Sequence, residues 1–120
     1  MCADLAISVF EVVGSSLCVA SGDGQKVYDR LAAALREGHN VALSFHNVTT
    51  LTSAFLNAAI GQLYGTFNEE QIRALLKVQD MQPEDLALLK RVVETAKQYF
   101  KDPHKFEQAM QETLGDTNGV

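Results

Sequence analysis

The N-terminal part of the chain alternates short apolar runs with small polar clusters. Residues 5–7 predict a first strand, and residues 17–20 predict a second. Between them, Ser8 and Glu11 have the spacing of a helix capping box, and Gly14 is suited to end a short helix. The pattern therefore predicts two short strands separated by one turn of helix.

The next segment has the period of an amphipathic helix. Val27, Leu31 and Leu35 recur on one side, and charged side chains lie largely on the other. Gly38 is the predicted end of this helix. Residues 21–24, Ser-Gly-Asp-Gly, precede it and predict a turn and helix cap. A phosphate-binding loop is the alternative, but the segment lacks the third glycine of a dinucleotide motif and the Gly-Lys-Ser/Thr of a P-loop.

The middle of the chain is the most apolar part. Residues 41–45 alternate large and small side chains, which predicts a central parallel strand covered on both faces. His46 and Asn47 end this strand. Residues 54–64 carry apolar side chains on nearly every side, as in a helix that packs against several elements. Gly61 costs this helix about 1 kcal/mol relative to alanine, which indicates close backbone packing.

Two more helices and a strand follow. Asn68 and Gln71 have capping-box spacing and predict the start of a short helix, and residues 75–78 predict a fourth strand. Pro83 is suited to the first position of an amphipathic helix that reaches Phe100.

This order of elements is typical of a small α/β domain. We expect a single domain over residues 1–120, with a core over about 5–100 built on one mixed, mostly parallel four-stranded sheet with packed helices. An extra C-terminal helix is expected over about 103–114, where Phe106 and Met110 would cover the edge of the domain.

Composition narrows the range of partners. The 120 residues are 47% apolar and carry a net charge of -5, so the chain can bury a core but presents no basic field for nucleic acid. Cys2 and Cys18 lack metal-ligand spacing and are expected to be free thiols in a reducing compartment. Neither a secretory leader nor a membrane span is indicated. We expect a cytoplasmic protein with no metal, cofactor, membrane or nucleic-acid partner.

Four hydroxyl side chains cluster where the apolar middle helix begins, at Thr49, Thr50, Thr52 and Ser53. Thr52 or Ser53 can cap that helix, an interaction typically worth about 1 kcal/mol. Because residues 54–66 contain no acidic side chain, an anion or a phosphorylated side chain would also be favoured at the helix start.

A catalytic role is the weakest hypothesis for this cluster. His46 follows the predicted strand 41–45 and lies close in sequence to the hydroxyl cluster. It would have to act with Ser53 or Thr52. No carboxylate lies nearby in sequence to orient the imidazole, and no Gly-x-Ser-x-Gly elbow is present. We therefore expect no enzyme activity and no catalytic residue.

The same segment resembles a known family. Val41-Ala-Leu-Ser-Phe45, the turn with Val48, and Leu51-Thr-Ser-Ala-Phe-Leu56 resemble the central motif of the STAS fold of anti-sigma-factor antagonists and sulfate-transporter tails. The similarity is greater to the STAS-like domain family of bacterial proteins, and it covers roughly residues 5–100. The resemblance implies a small STAS-like α/β domain that binds and regulates other proteins.

In anti-sigma-factor antagonists the helix opens Asp-Ser-Ser-Gly, and an ATP-binding kinase of the histidine-kinase-like ATPase fold phosphorylates the second serine. The resemblance places Thr52 at the acid, Ser53 at the first serine, Ala54 at the phosphoacceptor and Phe55 at the glycine. Ala54 cannot accept phosphate, so Ser53 and Thr52 remain as candidate phosphorylation sites.

The first hypothesis is therefore a non-catalytic regulatory module of STAS type. It would bind a partner protein, with such an ATP-binding kinase as the candidate, through the loop 46–53 and the start of the next helix. The predicted contact residues are His46, Asn47, Thr50, Thr52, Ser53, Phe55 and Asn57. The alternative is a sensor that binds a small molecule, nucleotide or other anion at the same helix N-terminus. The acidic surface also permits a homodimer.

Overall fold

The computed structural model describes residues 4–101. The predicted helix at 103–114, with Phe106 and Met110, lies outside the described residues, as does Cys2. The elements in chain order are β1 (Asp4–Ser8), α1 (Val9–Val13), β2 (Leu17–Cys18), α2 (Ser21–Arg36), β3 (Asn40–Ser44), β4 (Thr50–Leu51), α3 (Ser53–Leu56), a π-helical turn (Asn57–Gly61), α4 (Leu63–Thr66), α5 (Glu69–Leu75), β5 (Leu76–Gln79) and α6 (Pro83–Lys101).

The strands form two parallel sheets. One has three strands in the order β1-β3-β5, with Leu43 of β3 paired to Ile7 on one side and Val78 on the other. The central position predicted for residues 41–45 is therefore confirmed. Val41, Leu43 and Phe45 are buried, and the α/β class is confirmed with them.

The prediction of one four-stranded sheet is wrong. Residues 17–20 give only the two-residue strand β2, which pairs with β4 in a separate two-stranded sheet. The backbone amides of Thr49 and Thr52 donate hydrogen bonds to the carbonyls of Ser16 and Cys18, so β2 pairs with this segment and not with the main sheet. The sequence pattern did not predict β4, because its two residues lie within the hydroxyl cluster.

Helix ends follow the capping chemistry that the sequence predicts. Ser8 accepts a hydrogen bond from the Glu11 amide at 3.2 Å, and the Asn68 side chain accepts one from the Gln71 amide at 2.7 Å. Gly14, directly after α1, and Gly38, two residues after the end of α2, adopt positive φ angles of 80° and 78°. These conformations suit glycine, which has no side chain to clash, and they turn the chain back toward the sheet.

The interpretation of residues 21–24 as a turn is wrong, because Ser21 already begins α2 and Ala20 precedes it as the N-cap. Gly24 is buried within the first turns of the helix. A Cβ atom there would lie 2.5 Å from the carbonyl oxygen of Phe55 and 2.8 Å from Cβ of Ala58. The glycine therefore permits α2 to cross closely over α3 and the π-helical turn.

The helix predicted for residues 54–64 is present as α3, the π-helical turn and α4, which together form the middle helix, and its winding changes along its length. The Gln62 amide donates to the carbonyl of Asn57 at 3.1 Å, the five-residue spacing of a π turn. A Cβ atom on Gly61 would lie 3.6 Å from Cβ of Ala96 on α6. This is an ordinary van der Waals distance, and the nearest atom, at 2.7 Å, is the side-chain oxygen of Asn57 in the same helix, so the close backbone packing predicted at Gly61 is not found.

Helix α6 starts at Pro83 as predicted and covers the other side of the middle helix. Lys97 contacts Glu69 of α5 at 2.8 Å, and this hydrogen bond lowers the pKa of the Glu69 carboxyl and raises the pKa of Lys97. Both side chains are at the surface, so the pair adds little to stability.

None of the helices between residues 4 and 101 combines the length and the apolar character needed to cross a lipid bilayer.

Two glycines of α2 give a matched stability test. Gly24→Ala should lower the free energy of unfolding by roughly 1–3 kcal/mol, because its Cβ atom meets the backbone of α3. In Gly22→Ala, the added Cβ atom would have no neighbour within 4 Å. This variant should raise the free energy of unfolding by roughly 0.5–1 kcal/mol, since alanine favours the helix more than glycine does. Urea denaturation measures both, and equal effects at the two positions would contradict the close crossing.

Candidate functional site

The loop after β3 is fixed at its start by Ser44. The Ser44 hydroxyl donates to Oδ2 of Asp80 at 2.8 Å and accepts from the His46 amide at 3.2 Å. Asn47 and Asp80 have positive φ angles of 69° and 61°, a conformation that asparagine and aspartate tolerate better than other side chains. These contacts direct the chain from the end of the central strand toward β4.

The four hydroxyl residues fall into two pairs, one hydrogen-bonded within the described chain and one exposed. Thr49 donates to the carbonyl of Ser16 at 3.3 Å, and Thr52 donates to the carbonyl of Val19 at 2.7 Å. Both therefore hold the loop against the β2 segment. Thr50 and Ser53 are exposed, and no hydrogen bond to another described residue engages their hydroxyls.

Thr52 is the cap of the middle helix. Besides donating to Val19, its hydroxyl accepts a hydrogen bond from the Phe55 amide at 3.2 Å. The prediction that Thr52 or Ser53 caps this helix is confirmed for Thr52. Because the hydroxyl both donates and accepts, it couples the end of β2 to the start of α3.

The predicted contact residues do not all reach the surface. His46, Asn47, Thr50, Ser53 and Asn57 are exposed and Thr52 is half-buried. Phe55, in contrast, is 0% exposed and packs in the core. The side chain of Phe55 therefore cannot line the predicted binding surface, because the helix turns this position inward beside Gly24.

Two apolar residues join this surface that the sequence did not identify. Leu17 is 55% exposed and Val19 is 44% exposed, although both fall in the run predicted as a second strand. The short length of that run, bounded by serines, was the available indication of an edge position. We define the entrance surface as Leu17, Val19, Thr50, Ser53 and Ala54.

Other chemistry at the site is limited. Cys18 is fully buried behind the entrance surface, and this burial, with a smaller contribution from Asp23, raises the pKa of its thiol to about 11. His46 makes only a backbone hydrogen bond to the rest of the described chain. Within residues 4–101, no group of three or more His, Cys, Asp or Glu side chains is placed to hold a metal ion.

Comparison with known families gives one assignment. The model of a family described as a STAS-like domain of unknown function (DUF4325) matches residues 23–86. The matched segment contains β3, the loop 46–53 and the middle helix. Neither the curated proteins nor the solved structures that were compared with the chain gave a match.

Removing the Thr52 hydroxyl should destabilise the protein. Thr52→Val keeps the shape of the side chain but loses both hydrogen bonds, so the free energy of unfolding should fall by roughly 1–2 kcal/mol. Thr52→Ser retains the hydroxyl and should lose less. Thr50→Val is the control, with an expected change within about 0.5 kcal/mol in the same denaturation assay. Equal effects at positions 50 and 52 would show that the cap is not important.

The raised pKa of Cys18 predicts an unreactive thiol. With a pKa of about 11, roughly one thiol in a thousand is ionised at pH 8, and the side chain is also buried. In a Cys2→Ser background, iodoacetamide should label the folded protein slowly at pH 8 and rapidly in denaturant. Mass spectrometry measures the labelled fraction, and rapid labelling of the folded protein would contradict the buried position.

Proposed function

The chain belongs to the STAS-like domain family, and on that premise we propose that it is a non-catalytic regulatory module that binds a partner protein through its entrance surface. The observation that carries this proposal is the exposure of Leu17 and Val19 beside the exposed hydroxyls of Thr50 and Ser53. An apolar centre with a polar rim and few charges is the usual composition of a protein interface.

The anchoring of this surface supports a role in recognition. Thr49 and Thr52 hold the loop against β2 through hydrogen bonds. Gly24 allows α2 to pack closely against the buried side of the middle helix. A surface that is already ordered loses less conformational entropy when a partner binds.

Three observations favour binding over catalysis. The Thr52 hydroxyl is engaged as donor and acceptor, so it is not available as a nucleophile. The Cys18 thiol is buried and largely protonated. No described hydrogen bond joins His46 to Thr52 or Ser53, as a nucleophile and base would require.

The partner that we propose is an ATP-binding kinase of the histidine-kinase-like ATPase fold, as in the proteins that the motif resembles. Ser53 is the better candidate for modification, because its hydroxyl is exposed while that of Thr52 is hydrogen-bonded. A phosphate would add a charge of about -1.5 to -2 at pH 7 to a surface without ionisable groups. Phosphorylation would therefore change the surface from apolar to strongly anionic.

The anion sensor receives less support. None of the five residues of the entrance surface is basic, so an anion there would gain only from backbone amides and the short helix. We further propose a cytoplasmic location and a homodimer.

Affinity capture from the native cells tests the proposed surface. The wild-type protein should recover an ATP-binding partner, and Leu17→Asp/Val19→Asp should lose it at least tenfold, because two charges would be buried in the interface. Leu86→Asp is the control, since Leu86 is 37% exposed on α6, outside the entrance surface. Intact-mass measurement of the wild-type and Ser53→Ala baits reports whether the protein carries phosphate and whether that phosphate depends on Ser53.

Retention of the same partner by Leu17→Asp/Val19→Asp, with an unchanged unfolding midpoint, would contradict the entrance surface as the binding site. Recovery of a partner without a nucleotide-binding domain would contradict the kinase-like identity alone. A partner lost equally by Leu86→Asp would place the interface elsewhere.

A further inference from the structure

A groove of about 480 Å³ lies between the middle helix and the C-terminal end of α6. One wall carries Ala54, Ala58 and Gly61, and the other carries Ala96, Tyr99 and Phe100. Among the residues that the structure describes, the lining includes no carboxylate, ammonium or guanidinium group. The groove is therefore suited to apolar side chains and not to a charged ligand.

The walls of the groove are held in place by close packing. Gly61 faces Ala96, and an added Cβ atom would lie 3.6 Å from the alanine methyl group. The Phe100 ring is packed against Gly65, where an added Cβ atom would lie 2.5 Å from Cε1 of the ring. Phe100 nevertheless remains 39% exposed, so part of this wall is not covered by residues 4–101.

The chain itself supplies a candidate occupant. The described part of helix α6 runs to Lys101, directly after the groove residue Phe100, so the segment 102–120 begins next to the groove. Pro103 lacks an amide hydrogen, and its ring disfavours the helical conformation at the preceding residue, so the sequence favours a boundary between α6 and the segment that follows.

The sequence of this segment has one apolar face. Phe106, Met110 and Leu114 follow one another at intervals of four residues, whereas Gln108 and Glu112 fall on the opposite side of a helical pattern. Residues 106–114 would extend about 12 Å as a helix, and the wall from Ala54 to Gly61 extends about 10 Å at the same rise per residue. The apolar face and the groove are thus of similar length.

We propose that the segment 102–120 docks intramolecularly, with Phe106, Met110 and Leu114 placed in this groove. The docked segment covers Ala54 and Asn57, which line the groove and lie at the start of the middle helix. If Ala54 belongs to a partner-binding surface, a consequence that rests on the proposed function, the segment restricts access to that surface and acts as an internal competitor.

NMR of the full-length chain tests the docking directly. The amide resonances of Ala54, Asn57 and Gly61 should shift well beyond their linewidths in Phe106→Ser/Met110→Ser, because the apolar side chains leave the groove. The control Gln108→Ser/Glu112→Ser changes the same segment on its opposite side and should leave these resonances in place. Amides of β3 should be unchanged in both variants, which shows that the fold is retained.

Unchanged resonances of Ala54, Asn57 and Gly61 in Phe106→Ser/Met110→Ser would overturn the proposal and leave the groove to a separate partner. Resonances in the wild-type protein that move on dilution would also overturn it, since they would assign the groove to a second copy of the chain. Neither result depends on a partner protein, so failure of the docking and failure of the proposed function are distinguishable.

Discussion

The close crossing of α2 and the middle helix is the constraint on which the other features depend. It is possible only because Gly24 has no side chain where Phe55 and Ala58 approach. The crossing leaves Ser53 and Ala54 at the surface, while Phe55 and Leu56 of the same first turn are buried. It also leaves the outer side of the same helix free to form a groove with α6.

A second contact, through Thr52, also fixes the start of the middle helix. The Thr52 hydroxyl connects the Phe55 amide to the carbonyl of Val19, so the cap of the helix is also the link to β2. Because β2 is only two residues long and lies in its own small sheet, Leu17 and Val19 remain exposed beside this link. An ordered surface of aliphatic and hydroxyl groups results, and this composition is the basis for proposing recognition in place of catalysis.

Local rules predicted those parts of the fold that depend on local chemistry. The caps at Ser8 and Asn68, the helix end at Gly38, the central strand and the start of α6 at Pro83 all follow from residue type and spacing. The pairing of β2 with β4 could not be predicted, because two-residue strands carry no periodic pattern. The burial of Phe55 and the role of Gly24 depend on how two helices cross, and spacing along one helix does not specify a crossing.

The central claim is that the entrance surface contacts a partner protein. Site-specific photocrosslinking in the native cells tests it most directly, with benzoylphenylalanine placed at Leu17 and, as the control, at the exposed Leu86 of α6. The account predicts a crosslinked adduct with one ATP-binding protein from position 17 and none from position 86. No adduct from position 17, or the same adduct from both positions, would contradict it.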